Sequence, residues 1–208
     1  MRKHKFVIGE YYHLYNRGVD KRETIINQND LNRFLESIQD FNVIEPIGSI
    51  YELSFIKNRL GTPTTKSKLL SIVTYCVNPN HFHFLVTPLV EKGIEKFMQK
   101  IGGYTRYFNE KYKRNGALFQ GKFKSKHIGT DNRYLLHLSA YINMNNRNSL
   151  GTPTTKLSKS SLEEYIENKK GVCDKKIILG QFQNSKEYLK FCLESWQDIQ
   201  ERKKALEM

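Results

Sequence analysis

Cysteine is scarce in this chain, and its distribution is informative. Cys76, Cys173 and Cys192 are odd in number, lie far apart and form no C-x-x-C pair. A disulfide framework is therefore excluded, and reduced thiols in a cytoplasmic protein are the expectation. Long apolar runs are also missing: no stretch approaches the length of a membrane span, and MRKHKFVIGEYYH is basic without the apolar centre of a secretory signal. No membrane partner is expected. Acids are in deficit, with 21 Asp and Glu against 34 Lys and Arg, a formal charge of +13 and a pI of about 9.6. Such a surplus favours a polyanionic partner, of which nucleic acid is the commonest; a merely basic, soluble surface is the plain alternative.

What is present suffices for a core. With 208 residues, 38% hydrophobic content, 12 Tyr, 12 Phe and one Trp, one domain with appendages is the natural reading. EYYHLYN (10–16) predicts a strand, and 29–42 a helix with Leu31, Phe34, Leu35, Ile38 and Phe41 at helical spacing. A strand is expected at 49–56, and a hairpin joins 69–77 to 81–87 around Asn78-Pro79-Asn80. The pattern from 90 to about 115 is helical but weakened at Gly102-Gly103; 117–130 reads as extended, and a helix follows Asp131 as N-cap. The order β-α-(β)-β-β-α-β-α predicts an α+β, ferredoxin-like sandwich: a mainly antiparallel sheet with helices on one side, plus a C-terminal helical extension.

The heptapeptide LGTPTTK occurs twice, at 60–66 and 150–156. The copies do not form packed repeat units, so both are taken as insertions in tolerant loops, outside the chemistry. The expected division is a domain over 1–148, with a loop insertion at about 58–68, and a linker with an accessory helical tail over 149–208.

Chemistry is concentrated at NPNHFHFLVT (78–87). Side chains alternate along a strand, so His81 and His83 share a face opposite Phe82, Phe84 and Val86. A metal site, a pH switch and plain polar surface all remain open on that spacing. On the helix after Asp131, Tyr141 and Asn145 lie one turn apart beside the stripe Leu135, Leu138 and Ile142. Together with H-x-H they would make three metal donors and one nucleophile. Taken singly, Tyr141 reads as a core-edge tyrosine, Asn145 as a helix end, and His137, one turn before Tyr141, as an exposed histidine.

Residues 102–127 carry seven Lys or Arg against one acid, Glu110, with six aromatics interleaved. Arg106, Lys111, Lys113, Arg114, Lys122, Lys124 and Lys126 suit phosphates, and the aromatics suit either unpaired bases or the core. Arg17, Lys21 and Arg22 offer a second basic patch.

The segments YHLYNRGVDKR, PNHFHFLV, YTRYFNEKYKRNGALFQGKFKS and YLLHLSAYINMNN, taken together and in this order over roughly 10–148, resemble the REP-associated tyrosine transposases of the HUH single-tyrosine superfamily. By that resemblance the 1–148 domain is HUH transposase-like. His81 and His83 fall on the histidine-hydrophobic-histidine motif as metal ligands, Asn145 on the third ligand, and Tyr141 on the nucleophile of a Tyr-Ile-x-x-Asn-Pro signature. Asn146 stands where that signature has proline, so a slightly longer helix is expected.

The implied activity is metal-dependent cleavage and strand transfer on single-stranded or hairpin DNA through a 5′-phosphotyrosine, with Mg²⁺ or Mn²⁺ as cofactor. The implied assembly is a monomer or a homodimer. Two other classes remain: a hairpin-binding protein with cleavage lost or secondary, and a small zinc enzyme unrelated to DNA.

Overall fold

The computed structural model describes residues 5–45, 67–129, 131–148, 150–167 and 169–207. The strand expected at 49–56, the first LGTPTTK copy and most of the proposed insertion lie outside them.

A five-stranded antiparallel sheet in the order β4-β1-β3-β2-β5 organises the chain. Its strands are β1 (Tyr11–Arg17), β2 (Leu70–Asn78), β3 (His81–Pro88), β4 (Lys124–Ile128) and the short β5 (Lys159–Ser160). β2 and β3 form the expected hairpin, closed by Pro79 and Asn80. The β4-β1-β3-β2 arrangement is that of a ferredoxin-like α+β sandwich, and β5 extends it.

The helix α1 (Gln28–Asp40) starts at a reciprocal cap: Asn27 Oδ1 accepts from the Asp30 amide, and Asp30 accepts from the Asn27 amide. Leu31, Phe34 and Ile38 are its buried stripe. Gly102-Gly103 divides the next helical stretch into α2 (Gly93–Gly102) and α3 (Tyr104–Lys111). These helices cover the sheet face that carries Leu14, Phe82, Phe84 and Val86.

The opposite face is covered as well, which corrects the one-sided arrangement expected from the sequence. There α4 (Asn132–Met144), α5 (Leu162–Ile166), α6 (Lys176–Leu179) and α7 (Ser185–Glu207) enclose a second core with Val73, Cys76 and Leu85 of the sheet. The residues after 148 thus supply Tyr165, Ile178, Tyr188, Cys192 and Trp196 to a buried core. The extended reading of 117–130 holds only for β4; 117–123 is irregular.

Asp131 caps α4 as expected, accepting from the amides of Arg133 and Tyr134. The helix is fixed in rotation by a buried polar network. Asn143, fully buried, donates to the Tyr188 hydroxyl at 2.8 Å and accepts from the Ser161 hydroxyl at 2.6 Å, while Ser160 donates to its carbonyl. Turning α4 would strand these groups without partners, at about 1–3 kcal/mol each. The network therefore holds Tyr141 toward the sheet. The helix ends at Met144 with Asn145 as C-cap, so the replacement of proline by Asn146 does not lengthen it.

Candidate active site

Antiparallel register lines up the polar residues in rows. Arg17 on β1, His81 on β3 and Asn78 on β2 are direct cross-strand neighbours; the next row is Lys124, Tyr15, His83 and Cys76. Apolar partners fill the other face, so these rows are left to meet α4. The Tyr141 ring lies 5.7 Å from His83 edge to face, and the His81 and His83 rings are 5.2 Å apart. The candidate nucleophile and all three candidate ligands line one cleft of about 560 Å³, together with Arg17 and Lys124.

Three asparagines surround the His81 ring. Asn80 donates its amide nitrogen to the Lys21 carbonyl at 3.3 Å, which turns its Oδ1 toward His81 Nδ1 at 2.6 Å. In the neutral tautomer that donates from Nδ1 to this oxygen, the shorter of the two contacts, Nε2 is an acceptor. Nε2 in turn lies 2.8 Å from Asn145 Oδ1, another acceptor, with Asn78 Nδ2 close to both at 3.1 and 2.9 Å. Two lone-pair groups directed at the same point suit a cation, and an outer hydrogen bond on Nδ1 is the usual support of a metal-binding imidazole.

Among the described residues no three His, Cys, Asp or Glu side chains group for a metal. The donor set is two imidazoles and a carboxamide. It adds no charge and closes no tetrahedron, which suits a hard divalent ion such as Mg²⁺ or Mn²⁺ with substrate oxygens in its shell better than structural zinc.

His83 is buried, and its Nδ1 lies 2.9 Å from Nε2 of His13, also buried. Burial is the first cause that pushes both below the ordinary value of 6.5, His13 to about 4 and His83 lower still, with nearby Lys126 acting on His13, and His13, His81 and Arg17 on His83. Both remain neutral at physiological pH, the form that binds metal. The same shift sets a pH dependence of stability. The folded pKa lies below the unfolded one, so between pH 6.5 and about 4 the unfolded chain binds more protons, and stability present above pH 6.5 is lost as pH falls. At pH 5 the loss is about 2 kcal/mol per histidine. Urea denaturation of metal-free protein should show a lower midpoint at pH 5 than at pH 7, and a smaller difference in His13→Gln; equal midpoints in the unsubstituted protein would contradict the assignment.

Tyr141 is half-buried. Burial raises its pKa above the ordinary 10, opposed by a hydrogen bond from Asn145 and the charge of Arg17. His137 does not serve it in this arrangement: its Nδ1 lies 3.2 Å from the Ser195 hydroxyl and its ring meets Phe191, both on α7.

The basic candidates are dispersed by the fold. Arg17 and Lys124 enter the cleft. Lys126, on the same edge strand, donates to the Tyr134 hydroxyl at 2.7 Å, and Lys122 is exposed just before it. Lys111 is committed to structure, its ammonium 2.5 Å from the fully buried Asp30 carboxylate. Arg106 pairs with Glu110, and Arg114 with Asn109 and the Phe108 ring. Lys113 and Lys21 occupy left-handed turn positions, and Arg22 bonds the Val19 carbonyl.

The six aromatics of 102–127 divide evenly between the core and its edge. Tyr104, Phe108 and Phe119 are core, and Tyr107, Tyr112 and Phe123 are half-buried, because this segment must cover a whole sheet face.

Several site residues escaped the sequence reading: His13, Tyr15, Asn78, Asn80, Arg147 and Trp196. The alternation Tyr11, His13, Tyr15, Arg17 was the available signal for β1. Nothing local announces Trp196, which arrives from α7 with its ring 6.4 Å from Tyr141.

The fold and the cleft define an α+β domain with a paired-histidine strand facing a helical tyrosine. Residues 56–145, somewhat under half the chain, match the model of the IS200-like transposase family. That segment holds His81, His83, Tyr141 and Asn145, and the match agrees with the resemblance read from the motifs. A solved structure described as a REP-associated tyrosine transposase bound to a REP hairpin aligns with 70% of this chain and 71% of its own, at 14% identity and a TM-score of 0.40. No curated protein is significantly similar in sequence. Among the described residues no helix is long and apolar enough to cross a membrane.

Proposed function

We propose that this protein is a metal-dependent endonuclease and strand transferase for single-stranded DNA, acting at hairpin-forming repeats. The observation that carries the reading is the convergence of Tyr141 and Asn145 with His81 and His83 in one basic cleft of a single chain. No second copy is needed to complete it, which favours a monomer as the working unit.

His81 Nε2, Asn145 Oδ1 and His83 would hold Mg²⁺ or Mn²⁺. The ion supplies Lewis-acid polarisation of the scissile phosphate. The residues do the remaining work. Tyr141 attacks the phosphorus through its phenolic oxygen and loses its proton as that bond forms; the bond from phosphorus to the 3′ oxygen breaks, and the upstream strand leaves with a free 3′-hydroxyl. A 5′-phosphotyrosine keeps the energy of the broken ester, so attack by another 3′-hydroxyl joins strands without a nucleotide cofactor. The raised pKa of Tyr141 keeps the phenol protonated until it attacks. Arg17 and Lys124 neutralise the strand.

A duplex presents stacked bases along a regular path that cannot bend into the cleft, whereas a hairpin with an unpaired flank offers both a stem and a flexible strand. Incubated with Mn²⁺ and analysed on a denaturing gel, a labelled hairpin with an unpaired tail should yield a protein–DNA adduct, and annealing a complement to the tail should abolish it. Equal adduct from paired and unpaired tails would refute the single-strand reading.

A further inference from the structure

Beyond the strand and helix that carry the proposed nucleophile and ligands, the cleft has a third wall. It is formed by the turn after α4, which runs into the second LGTPTTK copy. Asn146 accepts through its backbone carbonyl from the Thr154 amide at 2.9 Å and the Thr154 hydroxyl at 3.2 Å. Arg147 pairs with Pro153, and the Asn148 amide donates to Thr152 at 2.9 Å. Gly151 turns the loop at φ +76°, a conformation that favours glycine. The heptapeptide expected to be an inert insertion therefore folds back on the residues that follow Asn145.

What it holds is Arg147. The guanidinium donates through Nη1 to the Gly151 carbonyl at 2.6 Å, and the side chain lines the cleft with Tyr141 and Asn145. Its Nε is buried and has no hydrogen-bond partner. Buried donors are almost always paired, and this one belongs to a side chain that lines the cleft. The described residues lining that cleft include three cations, Arg17, Lys124 and Arg147, and no acid. An anion is the acceptor this charge balance calls for.

We propose that Arg147 is a further catalytic residue, whose guanidinium binds a non-bridging oxygen of the scissile phosphate and stabilises the charge that gathers there as Tyr141 attacks. The inference rests on the nuclease reading above. Arginine suits the task because its planar fork matches phosphate, stays charged at every accessible pH, and here is braced at one nitrogen before substrate arrives.

Arg147→Gln should slow adduct formation on a tailed hairpin by about 100-fold or more while leaving affinity for the blunt hairpin within about threefold. Arg147→Lys, which keeps charge and loses the fork, should fall between the two, and added guanidinium should partly restore Arg147→Ala. A glutamine variant that reacts within about threefold of the unsubstituted protein overturns the proposal. If the unsubstituted protein forms no adduct, the nuclease reading fails, and the phosphate contact is judged on binding alone. The plot of log affinity against log salt for the single-stranded tail should then be shallower by about 0.7 in Arg147→Gln, the loss of one phosphate contact. An unchanged slope overturns the contact as well.

Discussion

Replacing Tyr141 by phenylalanine should abolish the covalent DNA adduct and leave hairpin binding intact. The change removes one oxygen from a half-buried ring whose edge-to-face contact with His83 survives. It also relieves that site of a phenol whose ionisation burial already disfavours, so no loss of fold is expected beyond about 1 kcal/mol for the bond to Asn145. Loss of the nucleophile itself removes the reaction path, and a fall of four orders of magnitude or more in adduct rate is the expected scale. Tyr15 lines the same cleft, which makes the outcome decisive. An adduct that persists in Tyr141→Phe and disappears only when Tyr15 is also changed would move the chemistry to β1 and sink the assignment to α4.

The second large effect concerns the histidines, whose two substitutions should separate in a way that a purely structural role would not produce. Both His81→Ala and His83→Ala should cut metal-dependent cleavage by about 100-fold or more, since a Lewis acid is worth several kcal/mol to a phosphoryl transition state. Only His83→Ala should also destabilise the fold. It leaves Nε2 of buried His13 without its partner at 2.9 Å, a cost of about 1–3 kcal/mol, whereas His81 is half-buried and its neighbours Asn78 and Asn80 keep their bonds to Asn145 and Lys21. Chelation should silence the unsubstituted protein, and added Mg²⁺ or Mn²⁺ should restore it. Calorimetry that finds equal metal affinity in His81→Ala and the unsubstituted protein would rule out the ligand assignment.

Legibility differed sharply between elements. The hairpin around Asn78-Pro79-Asn80, the capped helices α1 and α4, and the break at Gly102-Gly103 were readable because each rests on local rules of periodicity, capping and glycine entropy that act within a few residues. The aromatics of 102–127 could not be apportioned one by one, because their composition is the same whether they stack on bases or fill a core. The basic residues were harder still: Lys111 and Lys124 are alike in sequence, yet the partner of Lys111 is Asp30, 81 residues away and buried.

The sequence by itself determined that two histidines share a strand face, that a tyrosine and an asparagine share a helix face, and that the chain carries a strong positive charge, since strand and helix periods follow from backbone geometry alone. Only the tertiary structure decided that these faces meet. Antiparallel register set His13 and Tyr15 beside His83, the buried bonds of Asn143 with Tyr188 and Ser161 held α4 in the rotation that presents Tyr141, and packing of α7 brought Trp196 to the cleft beside Arg147. Such long-range pairings depend on which surfaces can be buried together with every polar group satisfied, a condition that no stretch of sequence can express on its own.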